Sequence, residues 1–218
     1  TTAATADVII TGEASGDIFG RVLATGDLNA DGETDLAVGA YGYSSAAGRA
    51  YIFYNDGSLP TTAATADVAI NGEASSAFGS TLNSSDLNAD GKVDLVVGAE
   101  NYASLTGRAY IFYNDGSIPT TGATADVIIS ASTVGQLFGD TLTAGDLNAD
   151  GKADLVVGSW DASSLTDNVY VFYNDGTYPS LASSADKIFS GSTTGEDFGL
   201  PIALAQMLIH GTPDLLPT

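Results

Sequence analysis

Three copies of one acidic loop are the residues of this chain best suited to do chemistry. The string DLNADGETDL begins at Asp27, and near-identical strings begin at Asp86 (DLNADGKVDL) and Asp146 (DLNADGKADL). Oxygen-bearing side chains occupy loop positions 1, 3, 5 and 9, and glycine occupies position 6, where the backbone must turn back sharply. Because alternate positions of a tightly curled loop can point toward one centre, this pattern predicts a cage of oxygens around a hard cation.

Calcium is the cation that this set of oxygens favours. It takes about six to eight oxygen ligands, with a backbone carbonyl from position 7 and waters completing the shell. Magnesium requires stricter octahedral geometry, and zinc prefers cysteine or histidine, which the loops lack. An Asx-rich turn that binds nothing would explain one copy, but three equally spaced copies favour three calcium sites. The predicted ligands are the side chains of Asp27, Asn29, Asp31 and Asp35 with the Glu33 carbonyl, of Asp86, Asn88, Asp90 and Asp94 with the Lys92 carbonyl, and of Asp146, Asn148, Asp150 and Asp154 with the Lys152 carbonyl.

The residues that follow each loop argue against an EF-hand. An EF-hand closes its loop with a bidentate glutamate at position 12 and is flanked by helices. Position 12 is instead Val38, Val97 or Val157. The runs DLAVGA, DLVVGA and DLVVGS are short and rich in β-branched residues, so each predicts a buried strand after the loop.

The chain is strongly acidic and contains no cysteine. Among its 218 residues, 27 are acidic and six are basic, for a formal charge of −21. Three calcium ions would add six positive charges and leave −15 (−21 + 6), which relieves self-repulsion. This charge disfavours nucleic acid and anionic membranes as partners, and we expect no membrane insertion. Calcium loops of this type are weak, about 10⁻⁴–10⁻³ M in extracellular modules, so we expect an extracellular or cell-surface location.

The spacing of the loops, 59 and 60 residues, predicts a repeat architecture. Each period contains four short strands, in the first repeat approximately 22–27, 35–39, 49–55 and 67–71. Asn-Asp-Gly turns at Asn55, Asn114 and Asn174 close the third strand of each repeat. Strand composition is Val, Ile, Tyr and Phe, without helical periodicity. The sequence therefore predicts an all-β fold of four-stranded antiparallel propeller blades.

The combination of short motifs around the loops resembles a known repeat family. FG occurs at Phe19, Phe78, Phe138 and Phe198, and VGA or VGS follows each acidic loop. This pattern resembles the FG-GAP repeats of the integrin α-subunit β-propeller and its bacterial relatives, over nearly the whole chain. The resemblance implies that the calcium loop joins the first two strands of a blade, on the face opposite the ligand face, in a closed ring of seven blades.

Only three blades are complete in this chain. We assign them to about 19–72, 78–131 and 138–191, with a partial blade at 198–218 and an N-terminal outer strand at 6–12. In the partial blade, Gln206, Leu208 and His210 replace the first three ligands, so it should not hold calcium. Three arrangements remain open: a small ring of about four blades, a larger ring completed by self-association, or a segment of a longer chain whose other parts close the ring.

The loops between the second and third strands vary most among the repeats. They read YGYSSAAG, ENYASLTG and WDASSLTDN, and the resemblance places them on the ligand face with the turns that contain Asp17, Ser76 and Gln136. Their aromatic side chains can offer flat surfaces to a sugar ring or a protein partner. The alternative is that each ring covers the edge of its own blade. The candidate ligand-face residues are Tyr41, Tyr43, Tyr102 and Trp160.

Catalytic motifs are not evident, and we expect no enzymatic activity. The chain has one histidine, no cysteine and no phosphate-binding glycine loop after a strand. Arg49 and Arg108 open equivalent strands, where they suit a hydrogen-bonding role at the blade edge, and Asn168 replaces them in the third repeat. The leading hypothesis is a calcium-stabilised extracellular binding or adhesion module. The alternatives are an architectural segment of a surface layer, stalk or filament without its own ligand, and a propeller appended to a hydrolase or lyase.

Overall fold

The computed structural model describes residues 6–160, 166–192 and 198–199. They contain three four-stranded antiparallel sheets, each with its strands in sequence order. The predicted all-β blade architecture is confirmed, and the strand ends of the first repeat agree with the prediction to within two residues. The strands are β1 (Leu23–Gly26), β2 (Asp35–Ala40), β3 (Arg49–Phe53) and β4 (Val68–Asn71); β5 (Thr81–Ser85), β6 (Asp94–Ala99), β7 (Arg108–Phe112) and β8 (Val127–Ser130); β9 (Phe138–Gly145), β10 (Asp154–Ser159), β11 (Asn168–Phe172) and β12 (Lys187–Ser190).

Short turns connect these strands. One-turn segments α1 (Tyr43–Ala46) and α2 (Tyr102–Leu105) follow the second strands of the first two sheets, where the sequence predicted only polar loops. Their central residues have left-handed φ, for example 50° at Ser44 and 47° at Ala103, so they are tight turns rather than amphipathic helices. Single 3₁₀ turns, Ala63–Thr65, Gly122–Thr124 and Ala182–Ser184, lie in the connectors that lead to the fourth strands.

The hydrophobic core lies between successive sheets. Because side chains alternate across a strand, the Val, Ile, Tyr and Phe residues of each sheet supply apolar groups to both faces. Leu28, Ile52 and Ile70 of the first sheet pack against a cluster that includes Tyr110 and Phe112 of the second. Leu87, Ile111 and Ile129 of the second sheet pack in the same way against the third, in a cluster that includes Phe138, Tyr170 and Phe172. The first strands β1, β5 and β9 lie beside one another, so the sheets converge along their inner strands.

The FG motif joins each sheet to the one before it. Phe78 packs edge-on against Tyr110 and Phe112 of its own sheet, with ring centroids 5.2 and 6.2 Å apart, and also forms a parallel bridge to Gly48 of the preceding sheet. Gly79 has φ of 84°, and a Cβ there would lie 2.7 Å from the Arg49 carbonyl oxygen. Both its backbone conformation and the close approach of the preceding sheet therefore require glycine.

The predicted N-terminal strand at 6–12 is not formed as a strand. Thr11 alone makes a parallel bridge, to Thr62, in the manner in which Asn71 bridges Thr121. Among the described residues, no strand pairs with residues 6–12 in the way that β3 pairs with β4. The bridge at Thr11 is therefore not part of a longer ladder. The partial blade, apart from Phe198 and Gly199, lies outside the described residues, as do Gln206, Leu208 and His210. Within the described part of the chain, no helix is long and apolar enough to cross a membrane.

Candidate metal centres

Each acidic loop connects the first and second strands of its sheet. In the first sheet the loop begins one residue after β1 ends at Gly26 and continues to Asp35, which opens β2. Asp94 and Asp154 open β6 and β10 in the same way. The loop aspartate at position 9 is thus held by a strand, whereas positions 1 to 8 are held by the turn itself.

The turn is organised by hydrogen bonds from its own backbone. In the first loop, the Asp31 and Gly32 N–H groups donate to the Asp27 carboxylate at 3.0 and 2.9 Å, and the Glu33 N–H donates to Asp31 Oδ1 at 2.8 Å. The Asn29 Oδ1 also accepts from the Asp31 N–H, at 3.0 Å. The second and third loops repeat these bonds. Backbone donors therefore hold the side-chain oxygens at positions 1, 3 and 5 in each turn.

The alanine at position 4 has left-handed φ in all three loops. The angle is 61° at Ala30, 60° at Ala89 and 62° at Ala149. Such a conformation costs a non-glycine residue on the order of 1 kcal/mol. Every copy retains it, and it accompanies the same curl of the turn around the flanking side-chain oxygens.

The aspartates at position 9 are buried. Asp94 is 0% exposed, and its two oxygens accept hydrogen bonds from the Leu87 N–H at 2.8 Å and the Asn114 N–H at 2.9 Å. Burial raises the pKa of Asp94 to about 6, while the two backbone hydrogen bonds act in the opposite direction. Burial also raises the pKa of Asp35. At the exposed position 5, by contrast, the Glu33 N–H and the Asn29 side chain lower the pKa of Asp31.

No protein cation neutralises these buried carboxylates within the described residues. The ion pairs found there join Arg49 to Glu13 and Arg108 to Glu73, each at 2.8 Å. Lys92 Nζ, which extends from the second loop, donates to the Asn114 carbonyl at 3.0 Å instead of to a carboxylate. A buried carboxylate is costly without a counter-charge, and a bound divalent cation would provide one.

The predicted ligands fit calcium by their chemistry. Carboxylate, amide and carbonyl oxygens suit a hard cation, and an oxygen that accepts one N–H bond retains a second lone pair. Within the described part of the chain, no group of three or more His, Cys, Asp or Glu side chains is already arranged to hold a metal ion. The predicted ligands also include an asparagine side chain and a backbone carbonyl, and the position-9 carboxylate is hydrogen-bonded to backbone N–H groups. The ligand oxygens would therefore have to move closer together when the ion binds.

The first and second loops are also each bonded to the sheet that follows. Asn114, in the turn after β7, is buried, and its Nδ2 donates to the Asp27 carbonyl of the first loop at 3.3 Å. Asn174 donates in the same way to the Leu87 carbonyl of the second loop, at 3.0 Å. The backbone N–H of each asparagine meanwhile donates to the position-9 aspartate of its own sheet. Consecutive acidic loops are therefore linked through one asparagine.

The candidate ligand-face aromatics lie at the opposite end of the sheets. Tyr43 and Tyr102 stack beneath Arg49 and Arg108, whose guanidinium carbons lie 3.7 and 3.5 Å from the ring centroids. The Tyr41 hydroxyl accepts a hydrogen bond from the Arg21 guanidinium at 2.7 Å. Trp160 is 40% exposed. Three of the four rings are thus engaged by an arginine of their own sheet.

Arg49 and Arg108 form hydrogen bonds at the blade edge, which confirms the role that the sequence predicted for them. Arg49 Nε donates to Asn71 Oδ1 and Arg108 Nε to Ser130 Oγ, each at 2.8 Å. Glu73, from the turn before the second FG motif, accepts from both Arg108 and the Tyr110 hydroxyl. In the third sheet, Asn168 replaces the arginine, and the Gln136 side-chain amide donates a hydrogen bond to the Tyr170 hydroxyl.

Sequence reasoning did not single out three charged residues that the fold brings together. Arg21, Glu100 and Asp140 come from the first, second and third sheets and line one cavity. Arg21 and Asp140 each stand two residues after an FG phenylalanine, and Glu100 follows VGA, so their repeat positions were the only available signal.

Comparison with known proteins agrees with this geometry. A model of the FG-GAP repeat matches residues 19–53, and a model of the FG-GAP-like repeat matches residues 86–157. These matches include the first acidic loop and both of the others.

Several curated proteins are similar to the chain over part of their length. Phosphatidylinositol-glycan-specific phospholipase D of Bos taurus is 36% identical over 157 residues, which cover 65% of this chain and 18% of that protein. The protein of the same name from Dictyostelium discoideum is 26% identical over 90% of this chain and 25% of its own length. Integrin alpha-6 of Gallus gallus is 33% identical over 74% of this chain and 15% of its own length. The chain thus corresponds to a quarter or less of each of these relatives.

Proposed function

Because this chain belongs to the FG-GAP repeat family, we propose that it is a calcium-stabilised binding or adhesion module that works outside the cell or at its surface. One observation carries the proposal. The carboxylates of Asp35, Asp94 and Asp154 are buried at equivalent positions, beside a turn whose side-chain oxygens are held in place by its own backbone, and no protein cation among the described residues neutralises them.

Calcium would act structurally in this module. Asp27, Asn29 and Asp31 in the first loop, and their equivalents in the other two, would hold the ion together with the position-9 aspartate and the position-7 carbonyl. When bound, the ion supplies positive charge to the buried carboxylate. Because the first and second loops are bonded to the next sheet through Asn114 and Asn174, ordering either loop also stabilises the contact between two sheets. Binding free energy thereby becomes folding free energy.

Ring closure forms part of the same proposal. The outer face of the third sheet exposes Leu147 and Phe189, at positions where the first two sheets bury Leu28, Leu87, Ile70 and Ile129 against the next sheet. An apolar face of this kind favours a further blade as its partner. We propose that a second copy of the chain, or further blades of a longer chain, cover it.

The test of the calcium role is thermal unfolding of the chain in millimolar calcium, in millimolar magnesium and in EDTA. Calcium should raise the midpoint, and magnesium should do so much less. Asp31→Ala should reduce the calcium-dependent increase. Glu33→Ala removes the same charge from the same loop but contributes only its backbone carbonyl, so it should retain the increase. An unchanged midpoint in EDTA would refute the structural role of the ion.

The binding role needs a separate experiment. A glycan array probed in calcium and again in EDTA should show retention that depends on calcium. Molecular mass from light scattering under the same two conditions reports whether copies associate to close a ring. Absence of retention on glycans, and on a matching panel of extracellular proteins, would favour the architectural alternative.

A second candidate is a propeller attached to a hydrolase. It is favoured by the similarity to the bovine phospholipase D, which extends over 157 residues. The coding sequence on either side distinguishes the two candidates, since a hydrolase domain in the same open reading frame supports the second.

A further inference from the structure

The second acidic loop packs directly against the start of the first. Val93, at position 8 of the second loop, lies against Gly26, the residue that precedes the first loop. A Cβ added at Gly26 would lie 2.6 Å from Val93 Cγ1 and 3.4 Å from Ser84 Oγ. The Ser84 hydroxyl also donates a hydrogen bond to the Thr25 carbonyl at 2.7 Å. The second sheet therefore holds the backbone from which the first loop begins.

Asn114 connects the same two loops through three of its polar groups. Its Nδ2 donates to the carbonyl of Asp27, at position 1 of the first loop, at 3.3 Å. Its N–H donates to Asp94, at position 9 of the second loop, at 2.9 Å, and its carbonyl accepts a hydrogen bond from Lys92 Nζ, at position 7, at 3.0 Å. Asn114 is only 3% exposed, so water competes little for these bonds. One buried residue thus contacts the first ligand of one loop and the last ligand of the next.

The second and third loops are connected less extensively. Asn174 repeats the asparagine contact, with its Nδ2 3.0 Å from a backbone carbonyl oxygen of the second loop. Ala144 and Ala153, however, occupy the positions of Ser84 and Val93. Alanine has no hydroxyl to donate to the preceding strand, and its side chain is shorter than that of valine. Of the three contacts that join the first pair of loops, only the asparagine contact is therefore fully retained in the second pair.

We propose that the first and second calcium sites bind their ions cooperatively, as a pair, and that the third site is coupled to them more weakly. The proposal deepens the proposed function and rests on it for the identity of the ion. The ligand oxygens of a loop would have to move closer together on binding, so an ion in one loop fixes the backbone that the neighbouring loop contacts. The second ion then has less ordering to impose, and it binds more tightly.

Repulsion between the bound ions acts in the opposite direction, but it can be told apart from this coupling. Repulsion is reduced by salt, since exposed charges are screened over about 8 Å at physiological ionic strength. It also does not depend on uncharged side chains such as Ser84 and Asn114. Substitution of these two residues therefore separates coupling through contacts from coupling through charge.

The experiment measures calcium affinity loop by loop in the full chain. Gly32, Gly91 and Gly151, at position 6, each donate to the position-1 carboxylate of their own loop, so their amide signals in heteronuclear NMR spectra report binding at each site separately. Asp31→Ala removes a ligand from the first loop, and Asp150→Ala removes the equivalent ligand from the third. We expect Asp31→Ala to weaken calcium binding at the second loop about fivefold, and Asp150→Ala to weaken it less than about twofold.

Loss of the contact side chains should remove the coupling. In a chain that carries both Ser84→Ala and Asn114→Ala, Asp31→Ala should weaken the second site by less than about twofold. Asn55→Ala is the control, because the Asn55 side chain has no hydrogen-bond partner among the described residues, and it should leave the coupling unchanged. The dispersion of the amide signals shows whether each variant is folded.

Three results would overturn the inference. They are an affinity at the second site that Asp31→Ala leaves unchanged, an equal weakening by Asp31→Ala and Asp150→Ala, and a coupling that survives without the two contact side chains. Each of these leaves the structural role of calcium intact, since the loops still bind the ion. A complete absence of calcium-induced shifts at the position-6 glycines would instead refute the calcium proposal and this inference together, so the two failures are distinguishable.

Discussion

The second and third sheets have the same strands, the same loop and nearly the same residues, but they differ in what lies beside them. The second sheet is packed on both faces, and its Leu87 and Ile129 are fully buried. In the third sheet the equivalent Leu147 and Phe189 are 39% and 51% exposed. Asp94 and Asp154, in contrast, are equally buried at 0%. The loop aspartate is therefore buried by its own sheet, whereas the loop leucine is buried by its neighbour.

The largest expected effect concerns the position-9 aspartate, which is buried equally in the second and third sheets. Asp94→Ala and Asp154→Ala should each destabilise the chain by on the order of 4 kcal/mol, because each leaves two backbone N–H groups without an acceptor, at about 1–3 kcal/mol apiece. Chemical denaturation in calcium measures the free energy of unfolding. Asp115→Ala, in an exposed turn, is the control and should change little. A much smaller cost for Asp154→Ala than for Asp94→Ala would show that the neighbouring sheet matters to the loop as well.

The next effect concerns the loop leucine, which is buried in the second sheet and partly exposed in the third. Leu87→Ala should cost about 3 kcal/mol, because it opens a cavity between two sheets. Leu147→Ala should cost less than about 1 kcal/mol, since much of that side chain is already exposed. The same denaturation assay compares the two. Equal costs would mean that the outer face of the third sheet is covered in solution, and light scattering would then show whether another copy covers it.

Without bound metal, the free energy of unfolding should decrease as the pH rises, which is the reverse of the usual effect of an aspartate. The pKa of Asp94 is raised to about 6 in the folded chain, so its contribution to stability is present below the ordinary aspartate value and is lost as the pH rises through 6. In EDTA the loss should be on the order of 3 kcal/mol between about pH 4 and pH 6. Calcium should abolish it by stabilising the carboxylate. Asp94→Asn should flatten the profile in EDTA, whereas a stability that rises over this range would contradict the assignment.

The smallest effect tests the link between consecutive loops. Asn114→Ala removes the side-chain bond to the Asp27 carbonyl but retains the backbone bond to Asp94, and should cost about 1 kcal/mol. Asn55→Ala is the matched control in the first sheet, where the described residues include no preceding loop to bond. Thermal midpoints in calcium and in EDTA compare the two variants. If the link transmits the effect of the ion, Asn114→Ala should also reduce the stabilisation by calcium.

The repeated local pattern could be predicted from the sequence because each part of it depends on residues that are close together in the chain. The acidic turn, the strand after it and the Asn-Asp-Gly turn require particular backbone angles and side-chain alternation, both of which short-range sequence specifies. The strand ends of the first repeat were accordingly predicted to within two residues. The segment at 6–12 matches β4 and β8 in sequence but forms only the bridge at Thr11 among the described residues, because a strand also requires a pairing partner. The partial blade predicted beside it lies almost entirely outside the described residues.

The sequence by itself determined the blade, its acidic loop and the glycine after each FG phenylalanine, because these follow from local conformation and repeat spacing. Only the tertiary structure decided which side chains meet across sheets. Tyr43 lies under Arg49, Asn114 reaches the first loop, and Glu100, Asp140 and Arg21 surround one cavity. These contacts join residues that are distant in sequence, so they depend on how the sheets are stacked, which no local pattern encodes.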